Sequence, residues 1–405
     1  MVAHSRVLLR HAYGALRHAR ALPADNHYRL YHTPDRRGTG ALEIGLAAVL
    51  IALVCFFLAQ RIAFAAASLL PVKRHSVSTD LPTVQVFVAA RNEEAALPDL
   101  LQCLERLDYP TENHSFVLVS DGSVDSTPAL MVAWCREQPR SNTVLLPESF
   151  GKSAALQSAW DVSAGADLTA IYDADVFPAS GALRMLAEEF ADPRVGAAAG
   201  AVVPSHAHMN FISRYAALEL YVFHQVIQTA RHRLRLNPPT VGTNCIYRTA
   251  ALAEIGGFPQ DALSEDVATS FELIERGWRT SFCPDAVVTP RVLTRLDQFW
   301  SQRQRWTRGL SREAARAHSL PALLVVSGYA DRLVFLASLV AAVCGWVGWC
   351  WPVLYFVGPA LNVWVALYRA RVAGGMAFLR LLSHVRTGRV RHRLRHPIEP
   401  TSLET

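Results

Sequence analysis

The sequence predicts an α/β domain built on a mostly parallel sheet, with membrane-spanning helices on either side, and three observations carry that expectation. Short apolar runs alternate with helical patterns over residues 75–290, two long stretches outside that region are nearly free of charge, and acidic residues fall where apolar runs end. Strand–helix alternation implies a parallel sheet covered on both faces, whose ligands bind beyond the carboxyl ends of the strands.

The 405 residues leave room for one sizeable globular domain plus membrane elements. The hydrophobic content of 51% says less than its distribution, which crowds into residues 41–72 and 319–368. The net charge of +6 comes from 40 basic against 34 acidic residues. The arginines cluster beside the apolar runs, a pattern that suits anionic lipid headgroups and argues against nucleic acid as a partner. Seven scattered cysteines with no C-x-x-C pair argue against a disulfide framework or a zinc site. The first 40 residues lack an apolar core of signal-peptide quality, so no cleavable signal is expected.

In order, residues 1–40 read as a basic tail. Residues 41–72 read as one transmembrane helix, because Ile44–Ala59 is uncharged and the apolar run continues past Arg61, which is expected to snorkel at the end of the span or to be accommodated by tilt. Within 75–290, strands are expected at 83–90, 115–120, 142–146, 167–172 and 195–203, with helices at Glu93–Leu107 and Ser153–Val162 among those between them. Residues 291–318 interleave seven arginines with Leu296, Phe299, Trp300 and Trp306, the pattern of an amphipathic interface helix. Leu333–Tyr368 holds 36 residues without a charge, more than one span needs. Two transmembrane helices are therefore expected within 319–368, joined near Trp351-Pro352 or Gly358-Pro359. Residues 369–405 form a second basic tail.

The polar signatures follow the strands. The second strand runs into Asp121-Gly122-Ser123, and a carboxylate there can accept from a base or ribose, although taken alone it reads more readily as a turn or N-cap residue. The fourth runs into Asp173-Ala174-Asp175, two carboxylates that share one side of an extended segment. Such a pair suits Mg²⁺ or Mn²⁺, which neutralises the charge of a departing nucleoside diphosphate. Ser264-Glu265-Asp266 opens a helix that ends at Gly277-Trp278, and Asp266 reads either as a cap or as a general base for a hydroxyl. Gln302, Arg305 and Trp306 make a Q-x-x-R-W motif, whose plain alternative is headgroup anchoring.

The succession Asp121-Gly122-Ser123, Gly151-Lys152, Asp173-x-Asp175, Ser264-Glu265-Asp266 and Gln302-x-x-Arg305-Trp306, followed by apolar spans, resembles the membrane-bound family 2 glycosyltransferases. That family includes cellulose, hyaluronan and poly-N-acetylglucosamine synthases and ceramide glucosyltransferases. The resemblance runs from Pro82 to Arg308. It implies a GT-A (Rossmann-like) catalytic domain facing the cytosol, a UDP-sugar donor, a divalent cation and inversion at the anomeric carbon. It puts Asp121, Lys152, Asp173 and Glu265 on the donor, Asp175 with Asp173 on the metal, and Asp266 as catalytic base. Gln302, Arg305 and Trp306 fall to the diphosphate and acceptor. Ser264 replaces the family's usual Thr, a mild departure. The expected product is a growing β-linked polysaccharide of N-acetylglucosamine or glucose type, the alternative a glycolipid on ceramide or diacylglycerol. Three spans are too few to enclose a pore, so export would call for homo-oligomerisation or a secretion partner. The expected place is a cell membrane, multi-pass, with the first tail outside and the last in the cytoplasm.

Overall fold

The computed structural model describes residues 36–71, 81–163, 165–204, 209–290, 293–317 and 320–372. The chain divides into two compact units, Met1–Ala48 and Val49–Thr405. The first holds the opening turns of the helix Arg36–Leu69, and the sheet and the site described below belong to the second.

Eight strands make one sheet: β1 Val84–Ala90, β2 His114–Asp121, β3 Asn142–Leu146, β4 Leu168–Asp173, β5 Val176–Pro178, β6 Val195–Val202, β7 Cys245–Arg248 and β8 Arg279–Pro290, in the order β3-β2-β1-β4-β7-β6-β8-β5. β3, β2, β1 and β4 run parallel, as do β6 and β8. β7 pairs antiparallel with β4 and β6, and β5 antiparallel with β8. The five expected strands are all present, and β5, β7 and β8 are additional to them. The sheet is thus mixed, with its parallel half read correctly and its antiparallel insertion not.

Val86, Phe87 and Val88 are all fully buried, as a strand covered on both faces requires. Val84, Val86 and Val88 pack with Leu97, Leu100 and Met131, whereas Phe87 joins Ala155, Leu156, Leu252 and Leu273 on the other side. Each such side chain contributes about 1.5–3 kcal/mol by leaving water. The helix Leu97–Glu105 starts later than expected, with Pro98 in its first turn, and Lys152–Asp161 matches its expectation to within one residue. The register pairs Ala89 with Asp173 and Ala90 with Ser120, so Asp121 and Asp173 leave the same edge of the sheet.

Outside the sheet, Leu42–Leu69 and Cys350–Val372 are long and apolar enough to cross a membrane. Leu320–Val343 is a further apolar helix, preceded by the helix Leu296–Arg316. The break after Val343 covers residues 344–349, slightly ahead of Trp351-Pro352, and a second break at Phe356 adjoins Gly358-Pro359. Arg61 departs from the snorkelling expectation. Its guanidinium pairs with Asp331, donates to the Tyr355 hydroxyl at 2.9 Å and lies 4.6 Å from the Tyr355 ring, so the charge is met by neighbouring helices rather than by snorkelling. The expected tails, apart from residues 36–40 and 369–372, lie outside the described residues.

Candidate active site

The carboxylate that ends β2 is committed to the protein itself. Asp121, 5% exposed, accepts from the Ser149 hydroxyl (2.7 Å), the Phe150 amide (2.8 Å) and the Gly151 amide (3.1 Å). Gly122 follows at φ +62°, and a Cβ there would strike the backbone of Glu148 and Ser149. That position therefore accepts only glycine. Asp121 thus fixes the loop that delivers Lys152, the first residue of the helix Lys152–Asp161.

Lys152 is the hub. Its Nζ lies 2.6 Å from Asp173 Oδ1 and 3.1 Å from Glu265 Oε1, and donates to the Gly242 carbonyl at 2.5 Å. Burial pulls the ammonium's pKa down, but Asp173, Glu265 and Asp266 outweigh it and hold Lys152 well above its ordinary value. Burial raises Asp173 even with Lys152 against it. The two shifts run the same way although an ion pair should part them; the 2.6 Å separation and the surrounding carboxylates favour a charged lysine.

Asp266 sits in the first turn of the helix Glu265–Glu275. Burial, then the charge of Glu265, lifts its carboxyl to about 7, against the pull of Lys152. Its backbone carbonyl accepts from the Thr240 hydroxyl (3.0 Å) and the Ser270 hydroxyl (2.8 Å), which pins the turn. Lys152, Asp173, Glu265 and Asp266 therefore form one charged cluster at the carboxyl edge of β4. Asp175, two residues past Asp173, is exposed with no hydrogen-bond or ion-pair partner among the described residues. No group of three or more His, Cys, Asp or Glu able to hold a metal occurs among the described residues. A free carboxylate beside Asp173 nonetheless suits a hard cation that takes its remaining ligands from phosphate and water.

Gln302, Arg305 and Trp306 lie on Leu296–Arg316. Arg305 is exposed and has no hydrogen-bond or ion-pair partner among the described residues. Arg303, between them, pairs with Glu219 at 2.7 Å, donates to Gln302 Oε1 at 2.6 Å and stacks over Phe299 and Trp306 at 4.4 and 4.3 Å. Among the described residues no hydrogen bond or ion pair joins Gln302, Arg305 or Trp306 to the carboxylate cluster, but one turn on, Gly309 abuts Ser264, next to Glu265 and Asp266. Sequence reasoning gave no role to Ser149, Thr240, Gly309 or Glu313.

Residues 82–309 match the family model described as Glycosyltransferase like family 2. The chain is 30% identical to an N-acetylglucosaminyltransferase of Rhizobium meliloti, over 62% of this chain and 60% of that protein. It is also 30% identical to a beta-monoglucosyldiacylglycerol synthase of Synechocystis, over 56% of this chain and 48% of that protein. The chain thus spans about half the length of the curated relatives it matches. A mannosyltransferase from Pyrobaculum calidifontis, solved with GDP-Man and Mn2+, shares the fold with a TM-score of 0.59 at 23% identity, over 84% of this chain and 96% of that one.

Proposed function

Given that the chain belongs to glycosyltransferase family 2 and carries the GT-A fold, we propose that it moves a sugar from a UDP-sugar to a hydroxyl acceptor, inverting the anomeric carbon, at the cytoplasmic face of a membrane that its apolar helices cross more than once. The observation that carries this reading is the convergence of Lys152, Asp173, Glu265 and Asp266 at one edge of the sheet.

In this scheme Asp266 takes the proton as the acceptor oxygen bonds to the anomeric carbon, and the bond from that carbon to the diphosphate oxygen breaks, its electron pair leaving with the nucleotide. A carboxyl titrating near neutrality suits a base that must take up and release a proton at physiological pH. Lys152 and Arg305 present positive charge to the diphosphate, Asp121 orders the loop against the nucleoside, and Glu265 orients Lys152. Asp175 with Asp173 would hold Mg²⁺ or Mn²⁺, which when bound supplies charge neutralisation on the leaving diphosphate. Gln302 and Trp306 face the acceptor side, where an indole suits the apolar face of a sugar.

The proposed acceptor is a growing β-linked glycan of N-acetylglucosamine or glucose type. A lipid acceptor is the second reading, favoured by the small number of apolar helices among the described residues. Membranes carrying the chain, supplied with a panel of labelled UDP-sugars and Mg²⁺ or Mn²⁺, should incorporate label from one donor. Chloroform-soluble product selects the lipid reading, and extraction-resistant chains the glycan. Wild-type turnover in both Asp266→Asn and Asp175→Ala would refute the assignment of roles.

A further inference from the structure

The helix Leu296–Arg316 touches the loop before Asp266 at two points that the reaction scheme leaves unused. Glu313 is 4% exposed, yet its Oε1 accepts from the Leu263 amide at 3.1 Å, while Arg316 approaches the other oxygen only at 3.5 Å and is itself half exposed. A buried carboxylate with so weak a counter-charge costs stability unless something else requires it. One turn earlier, a Cβ on Gly309 would lie 2.5 Å from Ser264 Oγ and 3.3 Å from the Leu263 carbonyl. Ser264 occupies the N-cap of the helix Glu265–Glu275 but makes no capping hydrogen bond with its side chain. Apolar contacts among Val267, Phe271, Leu310 and Ala314 complete the seam.

We propose that Glu313 is a positioning residue: its carboxylate clamps the Leu263 amide against the Gly309 surface, and so sets where Glu265 and Asp266 stand relative to the helix that carries Gln302, Arg305 and Trp306. The clamp couples the diphosphate side of the site to the base through one rigid helix. The inference rests on the assignment of Asp266 as base. Gln302, Trp306, Gly309 and Glu313 follow helical spacing, so any rotation of this helix moves the motif and the clamp together. Displacing a reacting group by about 1 Å costs on the order of a hundredfold in rate.

The test uses the full chain in membranes or detergent, with turnover, donor KM and nucleotide binding measured on each variant. Glu313→Ala should lower kcat about 30- to 100-fold, with donor KM and nucleotide binding within about threefold of wild type. Glu313→Gln should retain most of the turnover, because its amide oxygen still accepts from Leu263. Gly309→Ala should lower kcat while sparing donor KM, and it carries the test together with Glu313→Gln if Glu313→Ala fails to fold. The clamp is overturned if Glu313→Ala keeps kcat within about twofold, if Glu313→Gln falls as far as Glu313→Ala, or if donor binding and turnover are lost in proportion. Asp266→Asn separates the two ideas. Should it abolish turnover while Glu313→Ala is silent, only the clamp falls; should it leave turnover intact, the assignment of the base falls first.

Discussion

The edge of the sheet and the helix Leu296–Arg316 bring charge to the site in opposite ways. At the sheet edge every group but Asp175 is already spoken for: Asp121 takes three hydrogen bonds and Lys152 is bracketed by two carboxylates and a carbonyl. On the helix, Arg305 is exposed without a partner among the described residues and Trp306 is 40% exposed. Dipoles and charges fixed in advance need no reorganisation when charge develops in the reaction, whereas free side chains are ordered by whatever binds. The contrast teaches that changes at the edge should alter chemistry and donor binding, and changes on the exposed stretch of the helix around Arg305 and Trp306 the grip on diphosphate and acceptor.

The largest effect should come from the edge. Asp266→Asn keeps the shape but cannot take the proton, so kcat should fall by about 10³-fold, within the usual range for a general base, with donor KM nearly unchanged. A loss below about tenfold would break the comparison at its strongest point. Next is Asp121→Ala, which leaves the Ser149 hydroxyl and the Phe150 and Gly151 amides without their acceptor. Donor KM should rise about 10- to 100-fold and stability fall by about 1–3 kcal/mol, both read on the same preparation by kinetics and thermal unfolding. A variant that lost stability but bound donor normally would make Asp121 a folding residue only.

The pH profile sharpens the same point with a smaller effect. The base works unprotonated, and burial together with Glu265 keeps the proton on Asp266 up to about 7. Turnover should therefore rise about tenfold per unit as pH increases toward 7 and then level off. Lys152 opposes that shift, so Lys152→Gln should move the inflection to higher pH. Movement to lower pH would mean that the lysine does not stabilise the charged base.

These contrasts also explain what was legible in the sequence. β1, β2, β4 and β6 were readable because each is an apolar run long enough to show itself, and a sheet covered on both faces leaves such runs uninterrupted, while the edge strand β3 showed only through its short Val-Leu-Leu run. β5 and β7, with three and four residues, carry no period. β8 is interrupted by Pro284 and Asp285, where its pairing with β6 also shifts register. The acidic site residues stood out because they end those strands or open a helix. Lys152 was named through the family resemblance, but its contacts and those of Ser149 were not legible, since they join segments far apart in sequence and depend on register. Arg61 is the extreme case, its partner Asp331 lying 270 residues away. Glu313 looked like an ordinary charge on an amphipathic helix, because nothing local marks a carboxylate that another loop will bury.

The smallest expected effect tests the open side of the comparison. Glu219 holds Arg303 at 2.7 Å, and Arg303 in turn lies over Phe299 and Trp306. The pair is partly exposed, with side chains 17% and 31% accessible, so Glu219→Gln should cost at most about 1 kcal/mol of stability. Loosening Arg303 should free the indole, and acceptor KM should rise about threefold while donor KM and kcat stay put, since cation–π contacts at such sites are worth about 0.5–1 kcal/mol. Kinetics with the acceptor varied at saturating donor reads this directly. If donor KM moved as much as acceptor KM, Trp306 would belong with the preformed edge, and the division between a fixed side and an adaptable side would have to be redrawn.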